Sequence, residues 1–156
     1  MKLPILLIFF MTSLLMSQEL VIKANEFKTD EKTGITIFNG DVSIVKGSDE
    51  LNASNITIYI NKKREPIKYI AKGDVSFFIK TEAKDTYSGS AQEVTYLPIT
   101  KEYHFFKNVV LKQLNNEKTI IGEEVVLKTV DGEAYAKGAK KEPVIMIFNL
   151  PNKEEK

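Results

Sequence analysis

The sequence has no cysteine, a single histidine and almost no net charge, and each shortage removes a class of function. Without cysteine there is no disulfide framework, no thiolate metal site and no thiol nucleophile. His104 stands alone in Tyr103-His104-Phe105-Phe106, on a segment that reads as a strand, without a second histidine to build a zinc site. A structural or partly exposed role suits it better than catalysis. The formal charge of +1 provides no field to attract nucleic acid or an acidic membrane surface, so no nucleic-acid partner is expected. Phosphate-cradling glycine loops, nucleophilic serine motifs and metal-ligand spacings are missing too, so neither an enzyme, a metal site nor a cofactor is expected.

The remaining composition is that of a globular domain. A chain of 156 residues with 43% hydrophobic and 28% charged residues is about one domain and can bury a core. Its N-terminus is set apart. Lys2 precedes an apolar run from Leu3 to Met11, Leu14-Leu15-Met16 extends it, and Ser17-Gln18-Glu19 follows. This is the layout of a secretory signal peptide, with residues 1–17 removed. The run is shorter than the roughly 20 residues of a comfortable membrane-spanning helix. Leu15 is a poor fit to the cleavage pattern, so retention as an anchor is the alternative. Residues 18–150 then form the domain and 151–156 a charged tail.

Past Glu19 the hydrophobic pattern has period two, which is the strand signature. Ile56, Ile58 and Ile60 alternate with Thr57, Tyr59 and Asn61, and Val75, Phe77 and Ile79 with Ser76 and Phe78. Turn chemistry is expected at Lys32-Thr33-Gly34, Lys46-Gly47-Ser48-Asp49, Asn61-Lys62-Lys63, Ser88-Gly89-Ser90, Asn115-Asn116 and Asp131-Gly132. Short strands punctuated in this way make a sandwich, barrel or jelly roll.

A repeat organises these strands. Phe38-Asn39-Gly40-Asp41-Val42-Ser43-Ile44 recurs closely as Ala71-Lys72-Gly73-Asp74-Val75-Ser76-Phe77 and loosely as Phe106-Lys107-Asn108-Val109-Val110-Leu111, with steps of 33 and 34 residues between Val42, Val75 and Val109. Each copy is followed by a second alternating strand, so the domain is a stack of two-strand units that cover one another's apolar faces. The Gly-Asp pairs read as turns at strand starts rather than as carboxylate or calcium sites. In the third copy Lys107-Asn108 replaces Gly-Asp, which leaves its turn geometry open. Lys62-Lys63-Arg64 and Lys140-Lys141 are solvated basic loops or, alternatively, contacts for phosphates or acidic sugars. Asn52-Ala53-Ser54 matches an N-glycosylation acceptor, a pattern frequent by chance.

The two ends of the stack are apolar. Leu20-Val21-Ile22 opens the domain, and Val144-Ile145-Met146-Ile147-Phe148 lies uncharged between Pro143 and Asn149. The second segment is either a buried closing strand or an edge that joins another chain.

The order and spacing of Ala24-Asn25-Glu26-Phe27, Ile35 to Val42, Leu51 to Tyr59 and Ile70 to Val75, behind an export signal, resemble the OstA-like domain of the LptA family of periplasmic lipopolysaccharide transport. The resemblance runs from about Ala24 to Gly138. It implies an all-β, open, twisted β-jelly roll in the periplasm whose interior takes the acyl chains of lipid A. It also implies end-to-end stacking into a homo-oligomeric bridge between an LptC-like inner-membrane protein and an LptD-like outer-membrane protein. The inward residues to which this assigns lipid contact are Phe38, Val42, Ile44, Ile56, Ile58, Ile60, Val75, Phe77, Ile79, Val94, Tyr96, Val109, Leu111, Val125 and Leu127. The assembly edges are Leu20, Val21, Ile22, Val144, Ile145, Met146, Ile147 and Phe148. If the sheets close fully, the same side chains are a plain sandwich core.

Overall fold

Each repeat folds as one antiparallel hairpin. The computed structural model describes residues 18–151. The predicted signal segment and the tail beyond Pro151 lie outside them. Two short strands, β1 (Leu20–Lys23) and β2 (Glu26–Asp30), come first. Three long hairpins follow: β3 (Ile35–Lys46) with β4 (Asp49–Ile60), β5 (Pro66–Lys80) with β6 (Thr86–Leu97), and β7 (Glu102–Gln113) with β8 (Lys118–Lys128). The short strands β9 (Ala134–Lys137) and β10 (Ile145–Phe148) end the fold. All belong to one sheet in the order β1-β3-β4-β5-β6-β7-β8-β10, with β2 also beside β3 and β9 also beside β8. Its ends are not joined, and no helix occurs among the described residues.

The Gly-Asp pairs are not the turns that their chemistry suggests. Gly40-Asp41 and Gly73-Asp74 lie inside β3 and β5, as bulges rather than chain reversals. Between Asn39 and Val42, β3 advances three residues while β4 advances two, from Asn55 to Ala53. The extra residue is accommodated by left-handed backbone, with φ of 81° and 45° at Gly40-Asp41 and 84° and 45° at Gly73-Asp74. Glycine tolerates this region without the Cβ penalty. At Gly73 a Cβ would also fall 2.7 Å from Ser54 Oγ. Lys107-Asn108 adopts the same left-handed pair, 65° and 52°, so the third unit keeps the geometry without the glycine. Ser88-Gly89-Ser90, expected as a turn, is also inside a strand, β6.

Aligned bulges bend a sheet. The register shifts fall side by side through all six long strands, at Asn39/Val42, Asn52/Asn55, Lys72/Val75, Ser90/Glu93 and Phe106/Val109. Because a bulge bends its strand and increases its twist, the sheet folds along this line into two leaves. The first comprises β2, residues 35–39, 55–60, 66–72, 93–97, 102–106 and 124–128, and β9. The second comprises β1, residues 42–46, 49–53, 75–80, 86–91, 109–113 and 118–122, and β10. Their inner faces meet, with the rings of Phe77 and Phe105 centred 4.5 Å apart across the interior.

Opposite the bend is the mouth of the roll, and its two sides differ. On one side the turns of the two leaves are tied together. Glu82 N–H donates to Thr129 O (3.0 Å), Thr129 N–H donates to Lys101 O (3.0 Å), Thr129 Oγ1 donates to the same carbonyl (2.9 Å), and Lys101 pairs with Glu82. Thr81 and Thr129 are buried there. On the other side, between the β3–β4 turn and the first leaf, the mouth holds a cleft.

Candidate functional site

The cleft follows from the strand phase. On β3, β5 and β7 the inward residues keep one parity through the bend, while β4, β6 and β8 switch, from Leu51 and Ala53 to Ile56 and Ile58, for example. All the predicted inward residues consequently face one interior. Val42, Ile56, Ile58, Val75, Phe77, Ile79, Val94, Val109, Leu111, Val125 and Leu127 are buried in the core, Phe38, Ile44 and Ile60 pack against it, and Tyr96 stands at the cleft. Ala71, Tyr69, Tyr87, Ala91, Tyr103, Phe105 and Ile120 belong to the same surface and were missed. Alternation does place Tyr69 with Ala71 and Tyr103 with Phe105, but the parity switches on the neighbouring strands β4, β6 and β8 hide the continuous row.

The cleft has a volume of about 620 Å³, within the range of small-molecule sites. Its inner wall is aliphatic, formed by Ile44, Leu51, Ile56, Ala71, Ile79 and Val94. Its outer wall carries Tyr69, Tyr96, Tyr103, Asp49, Lys46, Lys80 and Lys101. The three tyrosines form a ladder across β5, β6 and β7, because register sets Tyr69 opposite Tyr96 and Tyr96 opposite Tyr103. Ring centroids are 5.9 Å apart in the first pair and 4.4 Å in the second. Burial pushes the hydroxyl pKa of all three upward, and most strongly that of Tyr103, so they stay protonated. Asp49 faces them. Its Oδ1 accepts Lys80 N–H at 2.8 Å, and partial burial raises its carboxyl pKa.

Other sequence candidates stand apart from the cleft. His104 Nε2 lies 3.1 Å from Glu102 Oε2 on β7. Lys62-Lys63-Arg64 occupies the β4–β5 turn and Lys140-Lys141 the β9–β10 connection, away from the cleft lining. Asn52 is part of paired strand β4, where its Nδ2 donates to Glu50 Oε1.

The ends of the roll are edges. The β10 side chains are 47–58% exposed, so this strand is not a buried closing strand. Val144, just before it, packs against the core. Leu20 and Val21 of β1 are each 42% exposed, whereas Ile22 packs inward. Phe27 of β2 lies at 68% exposure in the same cross-strand row as Phe38, Ile56, Ala71, Val94, Phe105, Val125 and Ala136. An interior row therefore runs the width of the sheet and emerges at both ends.

The crystal structure of LptH, described as the LptA-homologous periplasmic component of the lipopolysaccharide transport device of Pseudomonas aeruginosa, superposes with a TM-score of 0.75. The match covers 85% of this chain and 96% of that one at 18% identity, and at this identity the likeness establishes the fold, an LptA-like β-jelly roll. No curated protein matches the sequence. Residues 21–133 match the family model described as LptA/(LptD N-terminal domain) LPS transport protein, and with most of its length inside that match the chain belongs to this family.

Proposed function

We propose that this protein is a periplasmic carrier of lipopolysaccharide, holding lipid A acyl chains between its two leaves and stacking end to end into a bridge. The bridge would join an LptC-like protein at the inner membrane to an LptD-like protein at the outer membrane. The observation that carries the reading is the unbroken interior row, apolar from Phe27 to Ala136 and open at both edges. Each acyl methylene kept from water contributes about 0.8 kcal/mol, so a continuous greasy path holds a multi-chain lipid without chemistry. Net movement then requires similar affinity along the path and energy supplied elsewhere.

The edges support stacking in one register. A second copy that continues both leaves sets β9 against its β2 and β10 against its β1. In the first leaf Lys137 meets Glu26, Ala136 meets Phe27, and Tyr135 meets Lys28, because each pair already shares a cross-strand row. In the second leaf Met146 meets Ile22 and Phe148 meets Leu20. The contact is heterologous, and such contacts extend rather than close unless rotation forms a ring.

Photocrosslinking from Ile58 or Phe77 in actively transporting cells tests the carrier. Adducts with lipopolysaccharide are expected from these inward positions and not from outward Thr57; their absence from every inward position would sink the reading. Stacking is tested by Glu26→Lys, which should weaken self-association by about 1 kcal/mol, as like charges opposed across strands do. Adding Lys137→Glu to the same chain should restore it, as read by light scattering over a concentration series. A single variant that associates like the wild type would overturn this register.

A further inference from the structure

The cleft changes character from its floor to its rim, and the change is abrupt. Ile56, Ala71, Ile79 and Val94 form an aliphatic floor, whereas Tyr69, Tyr96 and Tyr103 stand in a ladder above it with Asp49 opposite. Tyrosine is suited to such a boundary, with a ring for the apolar side and a hydroxyl for the wet side. All three tyrosines line the same cleft as the carboxylates of Asp49 and Glu82. Asp49 uses Oδ1 for Lys80 N–H and keeps Oδ2 for other donors.

We infer that Tyr69, Tyr96, Tyr103 and Asp49 form a threshold that binds the neutral hydroxyl- and amide-bearing sugar portion of an acylated saccharide, where its chains turn into the interior. The inference rests on the reading of the interior as an acyl-chain site. Three hydroxyls, each able to donate and accept, and one carboxylate that only accepts, match a surface of sugar hydroxyls and amide N–H groups. Asp49 repels a phosphate from the ladder itself, whereas Lys46 and Lys80 on the same rim attract one beside it. Phosphates of the ligand are accordingly placed outward of the ladder, beyond Asp49.

Binding of two probes separates the alternatives: a diacylated disaccharide without phosphate, and a free fatty acid of the same chain length. Tyr96→Phe combined with Tyr103→Phe keeps both rings and removes both hydroxyls. Affinity for the acylated disaccharide should fall about thirtyfold, the combined effect of two ordinary hydrogen bonds, while fatty-acid affinity stays unchanged. Asp49→Asn, at the rim and tolerant of folding, should lower disaccharide affinity alone. Equal losses for both probes, or no loss for either, would overturn the threshold. So would a phosphorylated disaccharide whose added affinity disappears in the tyrosine variant. Fatty-acid binding without any disaccharide binding would leave the acyl-chain reading standing and refute the threshold, whereas wild-type protein that binds neither probe refutes both.

Discussion

One side of the roll's mouth is tied shut and the other stands open, although the same hairpin repeat builds both. On the closed side β5, at 15 residues the longest strand, carries Glu82 far enough to meet Thr129 of the opposite leaf, and Thr129 in turn engages Lys101. On the open side β4 has 12 residues, and the short Gly47-Ser48 turn leaves Asp49 facing Tyr96 and Tyr103 across a cleft. The repeat therefore specifies the leaves and their bend, while strand length and turn chemistry decide where the leaves may be entered. A uniform pattern of inward aliphatics thus yields a filled core at one place and a cavity at another.

The largest expected effect contrasts a filled part of the interior with the cleft. A Cβ on Gly89 would fall 1.8 Å from Val110 O and 3.0 Å from the Phe77 ring, so Gly89→Val has no room without moving backbone. It should destabilise by about 3 kcal/mol or more in urea unfolding. Ala71→Val is also buried, yet it points into the cleft and should change stability by less than about 1 kcal/mol. Equal losses would mean that the cleft is packed as tightly as the interior around Gly89. A smaller effect isolates the tie itself. Thr129→Val removes the Oγ1 bond to Lys101 O and should reduce stability by about 1 kcal/mol. The Glu82 amide should then exchange its hydrogen faster, and unchanged exchange would show that the tie does not depend on this hydroxyl.

Much of this arrangement was legible in the sequence, and the misreadings have physical causes. Period-two alternation and the 33- and 34-residue steps gave the hairpins, because inward side chains must recur every second residue and each unit must cover its neighbour. Gly40-Asp41 was misread because positive φ serves turns and bulges alike. Only the partner strand, advancing two residues for three, distinguishes them. Lys107-Asn108 kept the bulge despite losing glycine, since its register shift aligns with those of the strands beside it. The tyrosine ladder was the least visible feature. Tyr69, Tyr96 and Tyr103 become neighbours through two hairpin registers, and the parity switch in β6 sets Tyr96 in line. Strand β2 was hidden by composition, as Glu26, Lys28 and Asp30 surround Phe27 on an edge that tolerates charge.

The smallest expected effect concerns the open rim alone. Burial raises the Asp49 carboxyl pKa above its ordinary 3.8, outweighing the Lys80 N–H bond and the nearby Lys46 charge that pull it down. A raised folded-state pKa means that folding favours the protonated form. The resulting stability is fully present below the unfolded value and is lost as pH rises through the folded one. At neutral pH the ionised Asp49 is thus a mild liability, which Asp49→Asn removes while keeping an acceptor for Lys80 N–H. The variant should melt slightly above the wild type at neutral pH, and the gap should close as pH falls through the folded pKa towards 3.8 and below. A gap that does not vary with pH would mean that Asp49 titrates as it does in the unfolded chain. The rim would then be fully bathed in water, and the open side would be a groove rather than a cleft that partly excludes solvent.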